Sequence, residues 1–187
     1  MRSERRFTPL EMNSKISNGR SPKDDLSLTG FKFAVLTISD RCSSGKSEDE
    51  SGKIIIDIVK NINGENIRYD IVSDEVDLIQ EKLLYYCDEL KIDLVLTTGG
   101  TGLGPRDVTP EATRKISQRI IPGISEFMRL EGVKKTKNAV LSRGISAIRG
   151  NSIIINLPGS PKGAKESLTA ILDLIPHALL MIKGIGH

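Results

Sequence analysis

Along this chain short apolar runs, bounded like buried strands, take turns with stretches whose apolar residues keep helical spacing. A β-rich run opens the pattern at 31–39, FKFAVLTIS. Residues 53–61 then read as a helix with Ile55, Ile58, Val59 and Ile62 on one face. Ile54 and Ile56 fall outside that stripe, as extra core or as a face toward a partner subunit. A second short strand is expected at 67–72. The helix at 75–90 is the clearest in the chain, with Val76, Ile79, Leu83, Cys87 and Leu90 in helical register. A third strand, 92–97, runs into a glycine-rich stretch, and a further helix starts at Thr109. Ile121-Pro122-Gly123 breaks the chain before a short helix at 124–130, closed by Gly132. Segments 139–141 and 147–148 are expected to pair as short strands. Residues 152–156 form a β-branched strand, and 164–175 an amphipathic helix that Pro176 restarts or kinks.

Strands therefore alternate with helices, and most crossovers are long enough for parallel pairing. The pattern predicts an α/β fold, a three-layer α/β/α sandwich with a mostly parallel central sheet. The length of 187 residues suits one domain, expected over 30–187. Residues 1–29 are polar, lack an apolar period and are expected to be a disordered arm. Glu4, Glu11, Asp24 and Asp25 argue against a transit peptide there.

Composition narrows the class. A net charge of +3 is too small to argue for nucleic acid, and no apolar run approaches a membrane span. Cys42 and Cys87 have no metal-binding spacing and read as a loop thiol and a helix-buried one, which fits a reducing, cytoplasmic compartment.

The chemistry concentrates at strand ends. Residues 94–113, LVLTTGGTGLGPRDVTPEAT, read as strand, glycine-rich loop and helix start. Thr109 is placed to cap, Pro110 to hold the first helical position and Glu111 to meet the positive end of the dipole. Successive backbone N–H groups in such a loop can point at an anion; the plain alternative is a tight turn. Asp107 at the lip suits phosphate handled with Mg²⁺, which takes one or two carboxylates plus substrate oxygens. Asp40, Asp74, the glycine loop and Pro158-Gly159-Ser160 all follow strands, so topology should gather them on one edge. With them come Arg41, Arg106, Arg143, Lys162 and Ser142. Asp74 also reads as a plain helix N-cap, and Asp40-Arg41 as a local ion pair. The only histidines, His177 and His187, lie near the C-terminus, so neither a zinc hydrolase nor a His-activated serine fits. Phosphoryl or nucleotidyl transfer does fit, because its catalysis is mostly positioning and charge stabilisation.

The string TTGGTGLGPRDVTPEAT resembles the signature of the molybdopterin-binding family, the molybdenum-cofactor biosynthesis proteins of the MoaB/MogA type. Three further stretches agree: Ser39-Asp40-Arg41 with Gly45 and Asp49-Glu50-Ser51-Gly52, then Ser142-Arg143-Gly144, then Asn156-Leu157-Pro158-Gly159-Ser160-Pro161-Lys162. The resemblance implies a molybdopterin substrate, with AMP transferred to its phosphate from Mg-ATP and pyrophosphate released. It implies Asp74 and Asp107 as the functional aspartates holding Mg²⁺, with Asp40 as a further candidate. Thr98, Gly99, Gly100, Thr101, Gly102 and Ser160 match ligand-binding loops. Ser39, Asp40, Arg41, Arg106, Ser142, Arg143, Pro158, Gly159 and Lys162 complete the expected substrate-binding set. It implies also a homo-trimer or hexamer and other molybdenum-cofactor biosynthesis proteins as partners. The alternatives are a molybdopterin-binding protein with little or no transfer activity, and an oligomeric scaffold module.

Overall fold

The computed structural model describes residues 30–185; the arm expected over 1–29 lies outside the described residues. Six strands form one sheet in the order β2-β1-β3-β6-β5-β4: β1 (Phe31–Ile38), β2 (Gly64–Val72), β3 (Leu94–Thr98), β4 (Arg119–Ile120), β5 (Ser146–Arg149) and β6 (Ser152–Leu157). β1 pairs in parallel with β2 and β3, and β3 with β6, whereas β5 runs antiparallel to both β6 and β4. The sheet is therefore mixed, with its parallel part around β1 and β3.

Strands β1, β3 and β6 are buried almost throughout, which only a sheet covered on both faces allows. Alternate residues divide between two cores. After the single turn α1 (Asp40–Ser43) that follows β1, the helices cover the faces: Phe33, Val35, Leu94, Leu96, Ile153 and Ile155 pack against α2 (Glu50–Lys60), α5 (Pro122–Val133), α6 (Pro161–Ile171) and α7 (Ile175–Ile182). Ala34, Leu36, Ile38, Val95 and Ile154 pack against α3 (Val76–Leu84) and α4 (Thr109–Ile116). A buried aliphatic side chain of this kind stabilises by about 1.5–3 kcal/mol, and the strand period of two shares that gain between the layers. Ile56 and Ile58 lie partly buried against the first core.

Three local expectations are corrected. The long helix ends as α at Leu84 and continues as one wide π turn over Tyr85–Glu89. The wider turn advances the phase so that both Tyr86 and Cys87 are buried. Residues 139–141 are not a strand but part of a 3₁₀ turn, Lys137–Leu141. Both edges of β5 are already taken by β4 and β6, and Ala139 packs back on Gly132 of α5. Thr109 does not cap α4; the cap position is Val108, and the Thr109 hydroxyl donates to the Gly99 carbonyl at 2.9 Å.

Candidate functional site

Strand order reverses between β1 and β3, because β1 continues to β2 on one side while β3 continues to β6 on the other. In open α/β sheets the crevice beyond such a reversal receives ligands. Here the carboxyl ends of the two strands almost touch: a Cβ on Gly99 would collide with the carbonyl oxygen of Ile38. Gly99 and Gly100 also hold φ of +102° and +61°, a backbone conformation that only glycine adopts without strain. The loop turns away from the sheet as a result. Among the described residues, none accepts a hydrogen bond from the N–H groups of Gly100, Thr101 and Gly102. The loop after β6 lies alongside, joined by Thr98 Oγ1 donating to the Pro158 carbonyl at 2.7 Å and the Gly99 N–H to that of Leu157 at 3.3 Å.

These two loops make a ridge with a cavity of about 500 Å³ on each side. One cavity has much apolar lining, including Leu103, Met128, Ala139 and Leu141, beside Thr101, Gly102, Ser142, Asn156, Pro158 and Ser160. The other is polar, with Ser39, Arg41, Asp49, Ser51, Asp74, Thr98 and Gly99. Gly100, Asp107 and Gly159 line both. A reaction between two ligands, one per cavity, would take place at that shared wall.

The carboxylates are held individually. Asp74 does not cap a helix: Glu75 occupies the cap position before α3, and Asp74 Oδ2 instead accepts the N–H of Asp40 at 2.8 Å. Asp107 Oδ2 accepts the N–H of Gly104 at 2.8 Å. Each carboxylate keeps its Oδ1 without a hydrogen-bond partner among the described residues. Burial raises the Asp74 carboxyl above the ordinary aspartate range, and the charges of Asp40 and Asp107 add to that, against the Asp40 N–H bond and the charge of Arg106. Two hard oxygen donors, one on the polar cavity and one on the shared wall, fit Mg²⁺ better than a closed protein cage. Among the described residues no group of three or more metal-binding side chains is assembled.

The cations are placed differently from the sequence expectation. Arg41 lines the polar cavity, but Asp40 pairs with Arg106, not with Arg41. Arg106 grips Asp40 through Nε and Nη2 at 3.1 and 2.9 Å and reaches Glu75 at 2.7 Å, which ties together the loops after β1, β2 and β3. Arg143 is engaged within the protein. Its guanidinium donates to the Gly102 carbonyl at 2.6 Å, to the Asp107 carbonyl and to Glu111. It braces the glycine loop from behind and lines neither cavity. Lys162 opens instead on a separate surface groove with Lys135 and Lys165.

Sequence reasoning did not single out several residues that matter here. Asn156 is buried and donates through Nδ2 to Thr97 and Thr113 at 3.0 Å each, while its Oδ1 accepts the Ile145 N–H at 3.2 Å. It stands in the Asn-Leu-Pro-Gly string, which was the available signal. Met128 and Arg129 reach the apolar cavity from α5, and nothing local in the sequence marks them.

The chain resembles known proteins over most of its length. A family described as a probable molybdopterin binding domain matches residues 34–177. The molybdopterin adenylyltransferase of Helicobacter pylori strain J99 is 47% identical over 154 residues, covering 81% of this chain and 88% of that protein. The Drosophila melanogaster molybdenum cofactor synthesis protein cinnamon is 44% identical over 156 residues, 83% of this chain but only 26% of that larger protein. Among solved structures, the molybdopterin biosynthesis enzyme MoaB of Thermus thermophilus superposes with a TM-score of 0.79 at 46% identity. That match covers 82% of this chain and 97% of the other.

Proposed function

The chain belongs to the molybdopterin-binding domain family, and from that premise we propose that it is a molybdopterin adenylyltransferase of molybdenum-cofactor biosynthesis. A phosphate oxygen of molybdopterin attacks the α-phosphorus of ATP, the bond from that phosphorus to the bridging oxygen breaks, and pyrophosphate leaves. The observation that carries the reading is the shared wall of Gly100, Asp107 and Gly159 between an apolar and a polar cavity. A flat heterocycle suits the first cavity and a phosphate chain the second.

Within that arrangement the free N–H groups of Gly100 to Gly102 meet phosphate oxygens, and Ser142 and Ser160 border the apolar side. Arg41 supplies positive charge on the polar side. Asp74 and Asp107 would hold Mg²⁺, which when bound offsets the charge of the phosphates. Arg106 keeps the three loops in register, and Arg143 keeps Asp107 in place. We read the chain as a homo-oligomer, because Leu103, Leu130, Val140 and Leu141 leave more than half of their surface exposed; a trimer or hexamer is what the family resemblance implies. A cytoplasmic setting agrees with the free thiols of Cys42 and Cys87.

The test is ATP- and Mg²⁺-dependent adenylylation of molybdopterin by the wild type beside Asp74→Ala and Asp107→Ala. Adenylylated pterin and pyrophosphate should form with the wild type. Either variant should lose about 100-fold or more in turnover, the scale seen when one charge-stabilising group is removed, while still binding pterin. A wild type that binds pterin and never turns over would leave a binding protein, not a transferase.

A further inference from the structure

One carboxylate at the polar cavity has no part in the roles above. Asp49 is buried, yet its oxygens are fully engaged. Oδ1 accepts the N–H of Gly52 at 2.9 Å and caps α2. Oδ2 accepts two hydroxyls, Thr37 Oγ1 at 2.5 Å and Tyr69 Oη at 2.6 Å. Three elements thus converge on a single side chain: Thr37 belongs to β1, Tyr69 to β2, and Asp49 opens α2. Two residues on, Ser51 Oγ donates to the Gly159 carbonyl at 2.8 Å, which fastens the first turn of α2 to the shared wall. Gly52 permits the convergence, since a Cβ there would overlap Asp49 and lie 2.7 Å from the Tyr69 ring.

A negative charge below a phosphate-binding cavity repels its ligand, so any benefit from Asp49 must come through what it holds. We propose that Asp49, clamped by the Thr37 and Tyr69 hydroxyls, is a positioning residue for nucleotide binding: it fixes the first turn of α2 and the Ser51–Gly159 link at the polar cavity. The inference rests on the reading of that cavity as the phosphate side of the site. Loss of either hydroxyl loosens the first turn of α2 and leaves more of the Asp49 charge unmatched. Both effects weaken the same ligand.

A second buried tyrosine supplies the control. Tyr86 donates to Asp70, also on β2, and neither residue lines the polar cavity. Tyr86→Phe therefore removes an equivalent hydroxyl–carboxylate bond from the same edge strand, away from the ligand. The experiment is calorimetric binding of ATP with magnesium chloride, without pterin, to the full chain and to Tyr69→Phe, Thr37→Val, Thr37→Ser and Tyr86→Phe, each with its melting temperature. The Kd should rise about fivefold or more in Tyr69→Phe and Thr37→Val. It should stay within about twofold in Thr37→Ser, which keeps the hydroxyl, and in Tyr86→Phe, although the latter melts lower. Unchanged affinity in Tyr69→Phe and Thr37→Val, an equal loss in Tyr86→Phe, or no ATP binding by the wild type would each overturn the proposal. The transferase reading fails separately, by absence of turnover in a protein that binds ATP.

Discussion

Asp40 and Asp74 exchange backbone hydrogen bonds: the Asp40 N–H donates to Asp74 Oδ2 at 2.8 Å, and the Asp74 N–H donates to Asp40 Oδ1 at 3.1 Å. The ends of β1 and β2 are thereby locked together by two carboxylates whose environments drive them apart. The Arg106 hydrogen bonds, and then the Asp74 N–H, hold the Asp40 carboxyl below the usual range; burial lifts that of Asp74 above it. Asp40 holds its charge more readily than an ordinary aspartate, and Asp74 takes up a proton first as the solution is acidified.

That asymmetry gives a pH prediction. If ionised Asp74 is needed, the acid limb of kcat/KM lies above the ordinary carboxylate range. A raised folded-state pKa means that the native protein binds the proton more tightly than the unfolded chain. Stability contributed by the protonated form is thus lost as pH rises through that raised value. Asp74→Asn, which keeps the acceptor for Asp40, should therefore melt about 2 °C higher at neutral pH while turnover is lost. A lower melting temperature by calorimetry would count against the desolvation argument.

The Arg106 strap is exposed, so its effect on overall stability is small. Arg106→Gln should leave the midpoint of urea unfolding nearly where it is, and closer still at high salt. Its clearer mark is on Asp40. With the depressed carboxyl released, stability present above the ordinary aspartate pKa is lost at higher pH than in the wild type. Acid titration followed by circular dichroism should show the onset moved upward; an unmoved onset would mean that the ion pair does not persist in solution.

Gly99→Ala combines a strained φ of +102° with a collision against the Ile38 carbonyl. The expected cost is about 3 kcal/mol or more. Gly123→Ala provides the contrast, since a Cβ there meets nothing within 4 Å and the residue is helical. That change should be neutral or stabilise by up to about 1 kcal/mol. Paired denaturation curves decide the matter, and similar losses in both would show that the contact at the strand reversal is not rigid.

Arg143→Lys keeps the charge but loses the fork that holds the Gly102 and Asp107 carbonyls together. Turnover should fall about tenfold or more, as when the partners that orient a metal ligand are removed. Lys162→Ala, in its separate groove, should stay within about twofold. Steady-state kinetics of the two variants side by side test the placement, and a larger loss in Lys162→Ala would reverse it.

Local order was legible in the sequence wherever local physics decides it. Short apolar, β-rich runs such as FKFAVLTIS marked the strands, and turn chemistry put Gly99 to Gly104 just past a strand end. Asp40, Asp74 and Asp107 were placed on one edge by alternation alone, because parallel strands deliver their carboxyl ends to the same side. Only the tertiary structure decided who answers whom. Asp74 turns to Asp40 across 34 residues, Arg143 to Asp107 across 36 and Ser51 to Gly159 across 108. Residues 139–141 wind into a turn because β4 and β6 already hold both sides of β5. A side chain's preferences are written in its own chemistry, but its hydrogen-bond partner is whichever group the folded chain brings within about 3 Å.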